Sequence, residues 1–146
     1  MLADDDARFR EYLRTLLARE PSADLVGEGE DGEGALELVE ALSPDLLLVD
    51  LAMTGLNGIE TTRKALFVRP RLKVIVITLH DDRRMVDAAL EAGASGYLLK
   101  DHLDEELSSA LAVVGRGDTF LSAGLADARG HQNPPAPRVR DRQESP

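Results

Sequence analysis

Five side chains able to do chemistry recur at one kind of place, directly after a short apolar run. Asp4 and Asp5 follow Met1–Ala3, Asp50 follows Leu46–Val49, Thr78 follows Val74–Ile77, and Lys100 follows Tyr97–Leu99. Three carboxylates brought together cannot all ionise cheaply without a cation. Oxygen ligands with open positions suit Mg²⁺, which keeps several of its waters. An Asp carboxylate can attack phosphorus and form an acyl phosphate. A metal and a lysine then neutralise charge on the transferring phosphoryl group, and a hydroxyl can donate a hydrogen bond to it. Each residue alone has a plainer explanation. An Asp after a strand often caps a helix, and a strand-end Thr follows from β propensity. Their coincidence at successive strand ends reads as a functional site.

The elements that must position these residues are legible. Leu46–Asp50 has the turn signal Ser43-Pro44-Asp45 before it and Gly55 and Gly58 after it. Such a run reads as a strand buried on both faces, as in parallel sheets. Lys73–Thr78 and Gly96–Lys100 read the same way, Asp24–Glu28 as a shorter strand, and Met1–Ala3 as the end of a first strand. That first strand is short against the usual 5–6 residues. Between the strands lie helical patterns. Phe9, Leu13, Leu16 and Leu17 line one face of a helix from Asp6 to Arg19, which Pro21 stops. A second helix carries Ala35, Leu36, Val39 and Leu42, and a third runs from about Ile59 to Val68. A fourth follows the loop His80-Asp81-Asp82 to Ala92, with Gly93 as its C′ residue, and a fifth spans Leu103 to Arg116. Alternation of strand and helix implies an α/β fold, a flavodoxin-like doubly wound sheet of five parallel strands in the order 2-1-3-4-5. Ligands bind such sheets at the carboxyl ends of the strands.

Composition narrows the classes. The chain has 146 residues, no Cys and a net charge of −10. The absence of Cys excludes disulfides and thiolate metal sites. The negative charge argues against holding nucleic acid by general electrostatic attraction. No apolar run approaches the roughly 20 residues that span a bilayer. The N-terminus is acidic where a signal peptide is basic. A soluble cytoplasmic protein is the expectation. Residues 1–125 read as one domain. Residues 126–146 read as a flexible tail or interdomain linker, rich in Pro and carrying Arg138, Arg140 and Arg142. Nothing after Gly130 has helical periodicity, so no output domain is expected in this chain.

Taken as a set, "LADDD", "LLLVDLAMTGLNGIE", "VIVIT" and "GASGYLLKD" resemble a response-regulator receiver domain of two-component signalling. The wording is closest to the NarL/FixJ type, whose usual output is a LuxR-like helix-turn-helix. The resemblance covers about residues 1–125 and implies a role for each residue. Asp50 would accept a phosphoryl group from a histidine kinase. Asp4 and Asp5 would hold Mg²⁺ together with Asp50 and the backbone carbonyl of Ala52. Lys100 would pair with the phosphoryl oxygens, and Thr78 would bond the phosphoryl group and shift inward. Tyr97 matches the family's aromatic switch position; a half-buried core tyrosine is the other reading. Ala52 and His80 match positions that tune acyl-phosphate lifetime. Phosphorylation would remodel the face made by the fourth helix, fifth strand and fifth helix, a face that can also build a homodimer. DNA would be reached only through an output domain outside this chain.

The sequence departs from that pattern in three ways. Family members have several more residues before "LADD", so the first, central strand is expected to be truncated. Thr54 stands where the family usually has Pro, which is expected to loosen the loop without removing a ligand. No helix-turn-helix follows the linker. Two other readings stay open. One is a pseudo-receiver that binds partners without phosphorylation. The other is a phosphatase of the haloacid-dehalogenase kind, which also uses a strand-end Asp but wants a second carboxylate two residues on, where this chain has Ala52.

Overall fold

The computed structural model describes residues 1–125. Their order is β1 (Leu2–Ala3), α1 (Ala7–Leu17), β2 (Glu28–Gly29), α2 (Gly32–Leu42), β3 (Leu46–Asp50), α3 (Gly58–Val68), β4 (Lys73–Thr78), α4 (Arg83–Glu91), β5 (Gly96–Leu99), a 3-10 turn (Lys100–His102), α5 (Leu103–Gly115) and β6 (Phe120–Leu121). The strands form one sheet in the order β2-β1-β3-β4-β5-β6, with every pair parallel. The expected doubly wound sheet and its central order are therefore present, with a sixth strand added at the edge. The tail expected over residues 126–146 lies outside the described residues.

Strand side chains alternate between faces, and the apolar runs supply both. Leu47, Val49, Val74, Val76 and Tyr97 pack with Ala35 and Val39 of α2, Ala65 of α3, and Val86 and Ala89 of α4. Leu2, Leu48, Ile75, Ile77 and Leu98 pack with Leu13 and Leu16 of α1 and with Leu107, Ala110 and Val114 of α5. Two helices cover one face and three the other. A run with no polar residue is what a strand needs when both of its faces are covered.

Four helices start on polar caps. Asp6 accepts from the N–H groups of Arg8 and Phe9, Asp31 from Gly34, and Asp82 from Arg84. Asn57 and Glu60 form a reciprocal capping box on α3. Such caps satisfy N–H groups that the first helical turn leaves without partners. Asp6 is thus the cap of α1 and lies outside the helix.

Three elements differ from the expectation. β1 has two residues, yet it pairs on both sides: Leu2 N–H donates to Gly27 O, Asp4 N–H to Gly29 O, and Leu48 N–H to Met1 O. β2 is Glu28–Gly29 only, and the span 24–27 expected as strand is irregular. A strand exists only where a neighbour supplies its ladder, and β1 supplies two residues. β5 ends at Leu99, and Lys100 opens the 3-10 turn.

Candidate functional site

The carboxyl ends of β1 and β3 meet side by side, because Ala3 pairs with Val49. Asp4 and Asp5 follow β1, and Asp50 is the last residue of β3. Carboxylate oxygens of the three lie within 4.8 Å of one another. Asp4 and Asp50 are buried, at 2% and 6% exposure, while Asp5 is exposed. Asp4 Oδ1 accepts from Asp6 N–H at 2.8 Å. The Asp4 carbonyl accepts from the Arg10 guanidinium at 2.6 Å, and Arg10 Nε lies 3.6 Å from Glu28. Arg10 thereby ties the Asp4 backbone to α1.

Lys100 closes the site. Its Nζ lies 3.0 Å from Asp4 Oδ2 and 3.1 Å from Asp50 Oδ1. The ammonium also sits 4.0 Å from the centroid of the Phe9 ring. Burial raises the Asp50 carboxyl above the usual carboxylate range, and the charge of Asp4 adds to this; Lys100 opposes both and only in part. For Lys100, burial works against the ammonium, but the hydrogen bonds and charges of Asp4 and Asp50 outweigh it and hold the group above its ordinary value. One lysine thus leaves three carboxylates undercompensated. All-oxygen donors with excess negative charge fit a hard divalent cation.

Thr78 is buried at the end of β4, the strand next to β3. Its Oγ1 accepts from His80 N–H at 3.1 Å, which leaves its own hydroxyl hydrogen free to donate. Tyr97 is fully buried, more than its reading as a half-buried core tyrosine supposed. Its hydroxyl lies 3.4 Å from the His80 carbonyl. Burial pushes that hydroxyl up to about 12, helped by Asp82 and Asp81. Ala52 is exposed, and the loop around it is pinned where Leu51 N–H donates to Ile77 O and Gly58 N–H to Leu51 O.

The loop is tighter than Thr54 led us to expect. Thr54 donates twice to Asp5 Oδ2, from its N–H at 3.1 Å and from its hydroxyl at 3.0 Å. A residue expected to loosen the loop instead ties it to a carboxylate of the cluster.

Of the residues singled out in the sequence, Asp4, Asp5, Asp50 and Lys100 converge. Thr78 sits at the adjacent strand end, and Tyr97 lies beneath the loop that follows it. Sequence reasoning missed Phe9, Arg10 and Thr54 as neighbours of the site. Phe9 and Arg10 are adjacent in the first turns of α1, four and five residues after Asp5, and that spacing was the available signal.

A profile of the response regulator receiver domain matches residues 1–112. The chain belongs to that family. This receiver is 43% identical over 121 residues to the transcriptional regulatory protein DegU of Brevibacillus brevis, an alignment covering 83% of this chain and 51% of DegU. It is 38% identical over 125 residues to the nitrate/nitrite response regulator protein NarL of Escherichia coli K12, covering 86% of this chain and 58% of NarL. Its fold is similar to that of a LuxR-family two-component response regulator from Aurantimonas sp. SI85-9A1, with a TM-score of 0.85 and 32% identity over 90% of this chain and 95% of that one. The chain is therefore a receiver of the NarL/LuxR type. It spans about half the length of the curated relatives it matches. Among the described residues no helix is long and apolar enough to cross a membrane.

Proposed function

We propose that this receiver accepts a phosphoryl group on Asp50 from a histidine kinase, with Mg²⁺ held by Asp4, Asp5, Asp50 and the Ala52 carbonyl. The observation that carries the reading is the Asp50 carboxylate at the end of β3, 3.1 Å from the Lys100 ammonium and grouped with two further carboxylates. In the transfer an Asp50 oxygen attacks phosphorus. The O–P bond forms as the P–N bond of the donor phosphoimidazole breaks, its electron pair going to the imidazole nitrogen. Mg²⁺, when bound, neutralises charge on the phosphoryl oxygens. Lys100 supplies a second positive charge there and leaves Asp50 for the new oxygens. Thr78, whose hydroxyl hydrogen has no acceptor among the described residues, donates to one of them. His80 N–H moves with Thr78, and Tyr97, near the His80 carbonyl, feels that movement.

The change is passed on by α4, β5 and α5. In a longer chain it would reach a DNA-binding output after the segment 126–146, in the manner of the transcriptional regulators that this receiver resembles, with a homodimer across that face as the active form. A soluble cytoplasmic protein is the matching location.

Intact mass after incubation with Mg²⁺ and acetyl phosphate tests the reading. The expected result is a gain of one phosphoryl group, lost in alkali and absent in Asp50→Asn. No gain in a folded sample would turn the assignment to a pseudo-receiver.

A further inference from the structure

Asp5 is the one exposed member of the carboxylate cluster, and an exposed aspartate pays rotamer entropy when it is fixed to a cation. Here both Thr54 donors converge on a single atom, Asp5 Oδ2. Among the described residues the other oxygen, Oδ1, accepts no hydrogen bond from a side chain or a backbone N–H. The carboxylate is therefore held by one oxygen and open at the other. The loop makes this possible. Gly55, at φ 79°, turns the chain directly after Thr54, and Asn57 then caps α3. A carboxylate that binds a metal is commonly oriented by an outer hydrogen-bonding partner, whose loss weakens the metal. Two effects compete. Hydrogen bonds drain a little charge from Asp5, while fixing its rotamer removes an ordering cost. Both donors act on one oxygen and leave the other without a hydrogen bond among the described residues, so the rotamer is fixed while one oxygen stays open, and orientation wins.

We propose that Thr54 is a positioning residue for the cation, setting Mg²⁺ affinity through Asp5. This rests on the reading of the carboxylates as a Mg²⁺ site. A proline at position 54 offers neither donor, so the device belongs to this chain's own loop.

The test is a Mg²⁺ titration of the full chain, with no phosphoryl donor, followed by the backbone amide shifts of Asp5 and Asp50. Thr54→Ser keeps both donors and is expected to bind as the wild type does. Thr54→Val loses the hydroxyl alone and is expected to raise Kd several-fold. Thr54→Pro loses both and is expected to raise it about tenfold or more. Melting temperatures in metal-free buffer separate a merely structural role, which would lower Tm and leave Kd unchanged. Wild-type binding with Thr54→Val and Thr54→Pro equally tight, or tighter, overturns the proposal for Thr54 alone. No Mg²⁺ binding by the folded wild type overturns the site reading together with it.

Discussion

The ammonium of Lys100 stands over the face of Phe9, 4.0 Å from the ring centroid. Among the described residues its ion-pair partners are the carboxylates of Asp4 and Asp50, so the cation is held by two charges and one π face. Such a contact is worth about 0.5–2 kcal/mol, more as the site is desolvated. A double-mutant cycle of Phe9→Leu with Lys100→Met is expected to give a coupling of about 0.5–2 kcal/mol in urea unfolding. Zero coupling would mean that the ring only packs.

Asp50→Asn is expected to stabilise the metal-free fold at pH 7. The Asp50 carboxyl is raised by burial first and then by Asp4, so the folded state holds this proton more tightly than the unfolded chain does. The associated stability is present at low pH and lost as pH rises from the unfolded value, about 3.9, through the folded one. The variant escapes that loss. Its Tm should exceed that of the wild type at pH 7, with the gap closing at lower pH and on adding Mg²⁺. In a domain of this size about 1 kcal/mol moves Tm by roughly 4 °C. Equal Tm values at pH 7 would mean that Lys100 compensates Asp50 in full.

Gly58→Ala sets two effects against each other. Alanine is the better helix former by about 1 kcal/mol. A Cβ at this position, however, would press on the Asp50 carbonyl oxygen and lie 2.8 Å from Leu51 Cα. These are backbone atoms of the strand end, and they have nowhere to go. Overpacking of this kind costs about 1–3 kcal/mol, so the net change should be destabilising and should displace Asp50. A lowered urea midpoint together with slower labelling by acetyl phosphate is the expected pair. A raised midpoint would show that α3 can slide away freely.

Ser122→Ala should loosen the end of β5. The buried Ser122 hydroxyl accepts from Leu99 N–H at 2.8 Å and donates to Glu106 at 2.5 Å. Glu106 also accepts from Ala123 N–H at 2.9 Å. Removing the hydroxyl orphans the Leu99 N–H, a loss of about 1–3 kcal/mol. Hydrogen exchange at Leu99 should accelerate with the fall in stability. Unchanged exchange would point to a water taking the place of the hydroxyl.

What could be read from the sequence was whatever depends on neighbours along the chain. Leu47, Leu48 and Val49 announce a strand covered on both sides, and the acids after each run mark its end. What could not be read depends on partners across space. The span 24–27 has strand composition but meets a β1 of two residues, so its ladder stops at Glu28–Gly29. Phe120–Leu121 has no periodicity to detect and is a strand because β5 offers it an edge. Thr54 reads as a weak substitute for proline until its distance to Asp5 is known, and that distance is fixed by β1 and β3 lying side by side.

Phe120 N–H donates to Ser95 O and Ser122 N–H to Tyr97 O, while Leu99 N–H is taken by the Ser122 hydroxyl. The outward ladder groups of β5 are thus spent within the molecule. On the far side the sheet ends in β2, two residues long and flanked by Glu30 and Asp31. Short, charged or covered margins are how sheets avoid recruiting strands from other chains. Among the described residues both margins of the sheet are thus strands of two residues, β2 and β6, and neither offers another chain a long ladder.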